Sequence, residues 1–240
     1  MTYVKWHNCH LSIPQYSLER KVIFCVRGVL SPLLANIYLH CFDTVWRADG
    51  LEHRWQARLI RYADDFVVCC RQTGDQVQAV VAAQLQALGL ALNSAKTRVL
   101  DVRQGAFTFL GFTVRQARSR RTGGWFPLIR PSADACQRLR ATVKVLTGRD
   151  RLALPTPAVI AEVNRVVPGW AGYFHCQHCT RDFSALQWFV EERVRIYLRR
   201  KHQHRTRAYQ ALPHEVLYGR LGPYRLPMRA PWLAPAHAWR

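Results

Sequence analysis

Two adjacent carboxylates, Asp64 and Asp65, stand between two short apolar runs, Leu59-Ile60-Arg61-Tyr62 and Phe66-Val67-Val68-Cys69-Cys70, and no other stretch constrains the chain as much. Runs of this length, rich in β-branched and aromatic residues, form strands, and the Ala63-Asp64-Asp65 step between them reads as the tight turn of a hairpin. The acids then lie at a loop tip. Neighbouring carboxylates repel, so either one is protonated or a cation neutralises them, and a hard divalent ion such as Mg²⁺ takes oxygen ligands of this kind. The tip is therefore a candidate metal site. The bland alternative is a solvated turn, in which Asp is an ordinary residue.

Tyr62-Ala63-Asp64-Asp65 in this setting resembles the active-site hairpin of reverse transcriptases. The run from Gly28 to His40, Leu92-Asn93-Ser94-Ala95-Lys96-Thr97, Phe109-Leu110-Gly111-Phe112 and Gly169-Trp170-Ala171-Gly172-Tyr173-Phe174 narrow the resemblance to the group II intron reverse transcriptase/maturase family, over residues 26–210. It implies an α+β fold. A partial polymerase palm, an antiparallel hairpin sheet with packed helices, would precede an all-α three-helix thumb/maturase domain. The family reaction is RNA-templated DNA synthesis from deoxynucleoside triphosphates, with Mg²⁺ held by palm carboxylates. By resemblance Asp64 and Asp65 are the catalytic and metal-binding residues of the tip. Lys96 would lie near the triphosphate, and Leu110, Gly111 and Phe112 would form the primer grip.

The formal charge of +20 on 240 residues, with 49% hydrophobic content, describes a chain with a real core and a polyanionic partner. No segment is long and apolar enough for a bilayer, so nucleic acid is preferred to membrane. Through residue 129 there are 16 Lys/Arg against 8 Asp/Glu, and from residue 130 onward 19 against 7, which makes the second half the denser anion-binding surface. Eight cysteines follow no disulfide framework and no secretion signal opens the chain, which points to a reducing cytoplasm.

The divisions expected are an unmatched leader over 1–25, the partial palm over 26–122, the thumb/maturase domain over 131–210 and a Pro-rich tail over 211–240. Residues 1–24 show no strand or helix periodicity and residues 1–25 contain no Asp, so the palm strand that bears the family's first catalytic aspartate has no counterpart there. The expectation is a truncated member or a remnant with a replaced start. Ser31-Pro32 is a helix start, with Leu33, Leu34, Ile37, Tyr38 and Cys41 as an apolar stripe and Asn36 and Asp43 as its polar exceptions. Asp43 reads as a solvated acid, the alternative being a third carboxylate for the tip. A second helix from Asp75 buries Val77, Val80, Val81, Leu85 and Leu88 and stops at Gly89. Phe107 to Val114 alternates as a strand with a central Gly, and Arg115, Arg118, Arg120 and Arg121 form a flexible basic loop suited to a phosphate backbone.

Three helices follow. One is capped by Ser132, one opens at Thr156-Pro157 and closes at Pro168-Gly169, and one runs from Arg181 to His202 with Phe183, Leu186, Val190, Val194 and Tyr197 inside. The last ends in a basic cluster containing Arg199, Arg200, Lys201 and Arg205. With Trp170, Tyr173, Phe174 and Trp188 upstream, this cluster reads as an RNA-binding surface. His175-Cys176-Gln177-His178-Cys179 is too crowded for tetrahedral zinc and has no second pair, and residues 221–240 carry no His/Cys array. The functional expectation is a reverse transcriptase/maturase-like protein with intron RNA and DNA primer or target as partners and weak or no polymerase activity. The alternatives are a non-catalytic RNA-binding splicing cofactor and a non-functional gene remnant.

Overall fold

The computed structural model describes residues 2–6, 31–71, 74–93, 97–176, 178–203 and 212–227. The chain divides into two compact units, one of residues 1–109 and 115–125, the other of residues 110–114 and 126–240.

The first unit runs β1 (Thr2–Trp6), α1 (Ser31–Ala48), a short α2 (Leu51–Arg54), β2 (Ala57–Tyr62), β3 (Asp65–Cys70), α3 (Gly74–Ala87) and β4 (Arg98–Asp101). Its sheet has the order β2-β3-β1-β4, with β1 antiparallel to both β3 and β4. This is a split βαββαβ arrangement. The central place of β1 corrects the leader reading for Thr2–Trp6. The register Thr2↔Cys70 to Trp6↔Phe66 runs this strand toward the hairpin tip. Five residues are too few for a period to stand out in the sequence, and the pairing partners in β3 and β4 lie at Phe66–Cys70 and Arg98–Asp101, far along the chain.

Phe66, Val68 and Cys70 alternate along β3 onto one face of the sheet, where they meet Leu39, Phe42 and Trp46 of α1 and Val77, Val81 and Leu85 of α3. Each such fully buried side chain contributes about 1.5–3 kcal/mol. The expected stripe of α1 is corrected here. Leu33, Leu34, Ile37, Tyr38 and Cys41 are exposed, whereas Leu39, Phe42 and Trp46 face the core. The helix is apolar on several sides, so spacing alone did not select the face; the bulkier aromatic side did. The second helix is as expected: α3 ends with Gly89 at φ +71°, and Leu90 N–H returns to Leu85 O (2.8 Å).

A second sheet orders β5 (Ala106–Phe109), β6 (Phe112–Arg118) and β7 (Trp125–Pro131), and the boundary between the units falls within its strands. The single strand expected over Phe107–Val114 is two strands. Leu110 (φ +48°) and Gly111 (φ +80°) form the tight turn between them, both left-handed as a two-residue primed hairpin turn requires.

In the second unit α4 (Ala133–Leu146), α5 (Thr156–Phe174) and α6 (Thr180–Lys201) bury facing stripes. Ser132 caps α4, its Oγ accepting from Ala135 N–H (3.1 Å). The stop expected at Pro168 is corrected, because α5 continues through it to Phe174. Val167, Ala171 and Phe174 prolong the buried face across the proline, and their burial outweighs the roughly 3 kcal/mol a mid-helix proline costs. On α6, Phe183, Leu186, Val190, Val194 and Tyr197 are all buried, as their spacing predicts. The tail reading is corrected for residues 212–227. There α7 (His214–Val216) and a following π-turn bury Leu217, and Leu226 joins the α4–α6 core.

Candidate functional site

The paired acids lie where the sequence puts them. Tyr62 pairs with Asp65 at the end of the β2–β3 ladder, which leaves Ala63 and Asp64 as the turn. Ala63 is left-handed (φ +53°), a conformation that L residues other than Asn and Asp seldom adopt. Asp64 and Asp65 are both half-buried.

Beside them sits Arg61, whose Nε donates to Asp43 Oδ1 (3.0 Å) and Oδ2 (3.1 Å) and whose outer nitrogen donates to Asp43 Oδ2 (2.5 Å). Its other terminal nitrogen donates to Asn36 Oδ1 and to Ala63 O, both at 2.8 Å. Asp43 is thus neither a solvated helix-end acid nor a spare metal ligand, but the carboxylate of a half-buried ion pair. Arg61 is the site residue that sequence reading missed; its only sequence signal was its place in β2 two residues before the turn.

The fit to Mg²⁺ is incomplete. Carboxylate oxygens are the donors this ion takes, yet among the described residues no three His, Cys, Asp or Glu side chains gather into a metal-holding group. The side chains of Ser31 and Pro32, and Lys96 and Arg205, lie outside the described residues.

At the second hairpin, Gly111 O accepts from Ser132 N–H (2.8 Å) and Leu110 O from the Tyr173 hydroxyl (3.1 Å). Phe112 packs on the rings of Tyr173 and Phe174 at centroid distances of 5.5 and 5.0 Å. The loop after β6 is closed rather than flexible. Ser119 N–H donates to Gly124 O (2.8 Å), Gly123 N–H to Ser119 O (2.9 Å) and Arg118 Nε to Gly123 O (2.9 Å). Arg115 and Arg118 of β6, Arg120 and Arg121 of the loop and Trp125 of β7 are all exposed to solvent. Between Asp101 and Asp134 the chain carries six arginines and no carboxylate, so this hairpin has a uniform sign.

The basic end of α6 divides. Arg200 is exposed and Arg199 half-buried, but Lys201 donates to Leu152 O (2.8 Å) and Leu154 O (2.5 Å), which makes its role the tethering of a loop. Of the four aromatics expected on this surface, Tyr173 and Trp188 are exposed, while Trp170 and Phe174 pack into the core. In the Cys/His segment, the Cys176 thiol donates to Ile129 O (3.4 Å) and burial pushes the Cys179 thiol up to about 11.

A split βαββαβ sheet carries the paired acids at the turn of its β2–β3 edge hairpin, and comparison with known proteins agrees with a partial palm followed by a helical domain. Residues 26–114 match the family model described as reverse transcriptase (RNA-dependent DNA polymerase), and residues 136–213 match that described as group II intron, maturase-specific domain. Protein YkfC of Escherichia coli is 34% identical across 39% of this chain and 32% of its own length. An uncharacterized 91 kDa protein in the cob intron of Schizosaccharomyces pombe is 22% identical across 55% of this chain and 18% of its own. The chain thus spans a third or less of these curated relatives. It belongs to the group II intron reverse transcriptase/maturase family. Polymerases of the reverse transcriptase family generally use Mg²⁺. Among the described residues, no helix is long and apolar enough to cross a membrane.

Proposed function

We propose that this chain grips group II intron RNA through its arginine-rich surfaces and presents Asp64 for nucleotide transfer onto a DNA primer. The observation that carries the reading is the exposure of Arg115, Arg118, Arg120, Arg121 and Arg200, cations arranged for phosphate rather than for internal ion pairs. Tyr173 and Trp188 offer exposed rings on which unpaired bases would stack. The Leu110-Gly111 turn, with Phe112 beside it, would brace a primer strand, and Arg199 would add to the basic end of α6, with Arg205 following it in the sequence. Mg²⁺ at the tip would neutralise phosphate oxygens, with Asp64 as its ligand and Asp65 in support. The described residues supply too few donors to carry the two-ion chemistry by themselves. Deoxynucleoside triphosphates would be the small substrates, and Lys96 would lie near their leaving phosphates.

Primer extension by the full chain on an RNA template tests the catalytic half of this reading. Synthesis lost in Asp64→Ala supports it, and synthesis indifferent to Asp64 refutes it. The second reading, an RNA-binding splicing cofactor without catalysis, is favoured by the incomplete donor set. Salt-sensitive intron RNA binding without any synthesis would select it.

A further inference from the structure

The hairpin tip is held by a contact that neither its acids nor its apolar strands provide. Asn36 and Asp43 stand seven residues apart on α1, two helical turns along one face, and the Arg61 guanidinium reaches both. It also reaches the carbonyl of Ala63, the left-handed residue that begins the turn. A guanidinium has five N–H donors in a rigid plane, and here four groups of contacts on two segments use that plane: both Asp43 oxygens, the Asn36 amide oxygen and the Ala63 carbonyl. A lysine in this place would offer a single point charge and could not span them.

A pair that only stabilised the sheet would have no reason to include the turn carbonyl. The turn needs such a donor, because alanine does not hold a positive φ without support from its surroundings. We infer that Arg61 is the positioning residue of the tip, fixing the backbone of Ala63 against α1 and thereby the direction in which Asp64 is presented. The inference rests on the tip being the functional end of the palm, and its test reads the tip directly.

Amide hydrogen exchange on the full chain measures the turn and, in the same sample, α3 as an internal reference. In Arg61→Ala, amides of residues 63–66 should exchange about tenfold faster while those of residues 77–85 keep their protection. Arg61→Lys should recover only part of that protection. Adding Ala63→Gly to Arg61→Ala should recover most of it, since glycine takes the positive φ without help. Should Arg61→Ala not fold, Asn36→Ala removes a single acceptor and should raise exchange at the tip alone. Unchanged exchange at the tip, or equal loss of protection at the tip and in α3, overturns the inference. Loss of synthesis in primer extension bears on the proposed function instead, because exchange at the tip is read without substrate.

Discussion

Two arginines in the two units do related work at different depths. Arg61 pairs with Asp43 and donates to Ala63 O, and Arg195 pairs with Glu191 (3.3 Å) and donates to Leu212 O (3.0 Å). In both, a carboxylate on a helix holds a guanidinium that secures the backbone of a non-helical segment. The Arg195 and Glu191 side chains are 1% and 9% exposed, against 13% and 20% for Arg61 and Asp43. Glu191 also accepts from the Tyr218 hydroxyl (2.5 Å) and Gln187 Nε2 (2.9 Å), so the deeper network fastens residues 212–227 to α6. The same chemical device serves cohesion where it is dry and, on the inference drawn above, the aim of a turn where it lies nearer solvent.

The contrast is most easily broken at its buried end. Glu191→Ala leaves Arg195 buried without its carboxylate and should cost about 3–5 kcal/mol in urea unfolding of the full chain. Asp43→Ala acts where water can replace the lost partner, so its cost should be about 1–2 kcal/mol, concentrated at the tip. A result with the two costs reversed would undo the assignment of depth to role.

Acid should sharpen the same contrast. Burial works to raise Glu191, but the Tyr218 and Gln187 hydrogen bonds and the nearby His214 and Arg195 charges hold it below its ordinary value of 4.5. A carboxyl depressed in the folded state stabilises fully above 4.5, and that contribution fades as pH falls through the lower folded value. Burial likewise depresses His175 below 6.5, so its protonation begins to oppose folding as pH falls past that value. Thermal unfolding followed from neutral pH downward should therefore weaken first below 6.5 and again below 4.5. Glu191→Gln should remove the second decline.

The smallest effect separates two neighbouring cations. Arg200→Ala should lower the salt slope of RNA binding by about 1, the signature of one lost phosphate contact. Lys201→Ala should leave the slope unchanged while loosening the loop at residues 152–154, whose carbonyls it holds.

How much of this the sequence revealed varies with the range of the interactions. The α6 stripe and the β2–β3 hairpin were readable, because their periods and turn chemistry are local and each buries one face. The buried face of α1 was not, since two apolar arcs compete and the residues that choose between them, Phe66, Val68 and Cys70 of β3 and the apolar face of α3, lie farther along the chain. Pro168 misled for the same reason: its local veto on the helix is overruled by the buried residues beyond it. At the site, Asp64 and Asp65 were visible as an unusual pair, whereas Arg61, Asp43 and Asn36 are ordinary residues that become one group only when α1 lies beside the hairpin. Lys201 counted as one cation among several until its two carbonyl partners were seen.

The central claim, that this chain holds structured intron RNA by its phosphates, is tested most directly by equilibrium binding of the full chain to a group II intron RNA between about 50 and 200 mM salt. Log affinity should fall linearly with log salt, less steeply when Arg199 and Arg200 are neutralised and with unchanged slope in Asp64→Ala. Affinity indifferent to salt, or to the loss of both arginines, would contradict it.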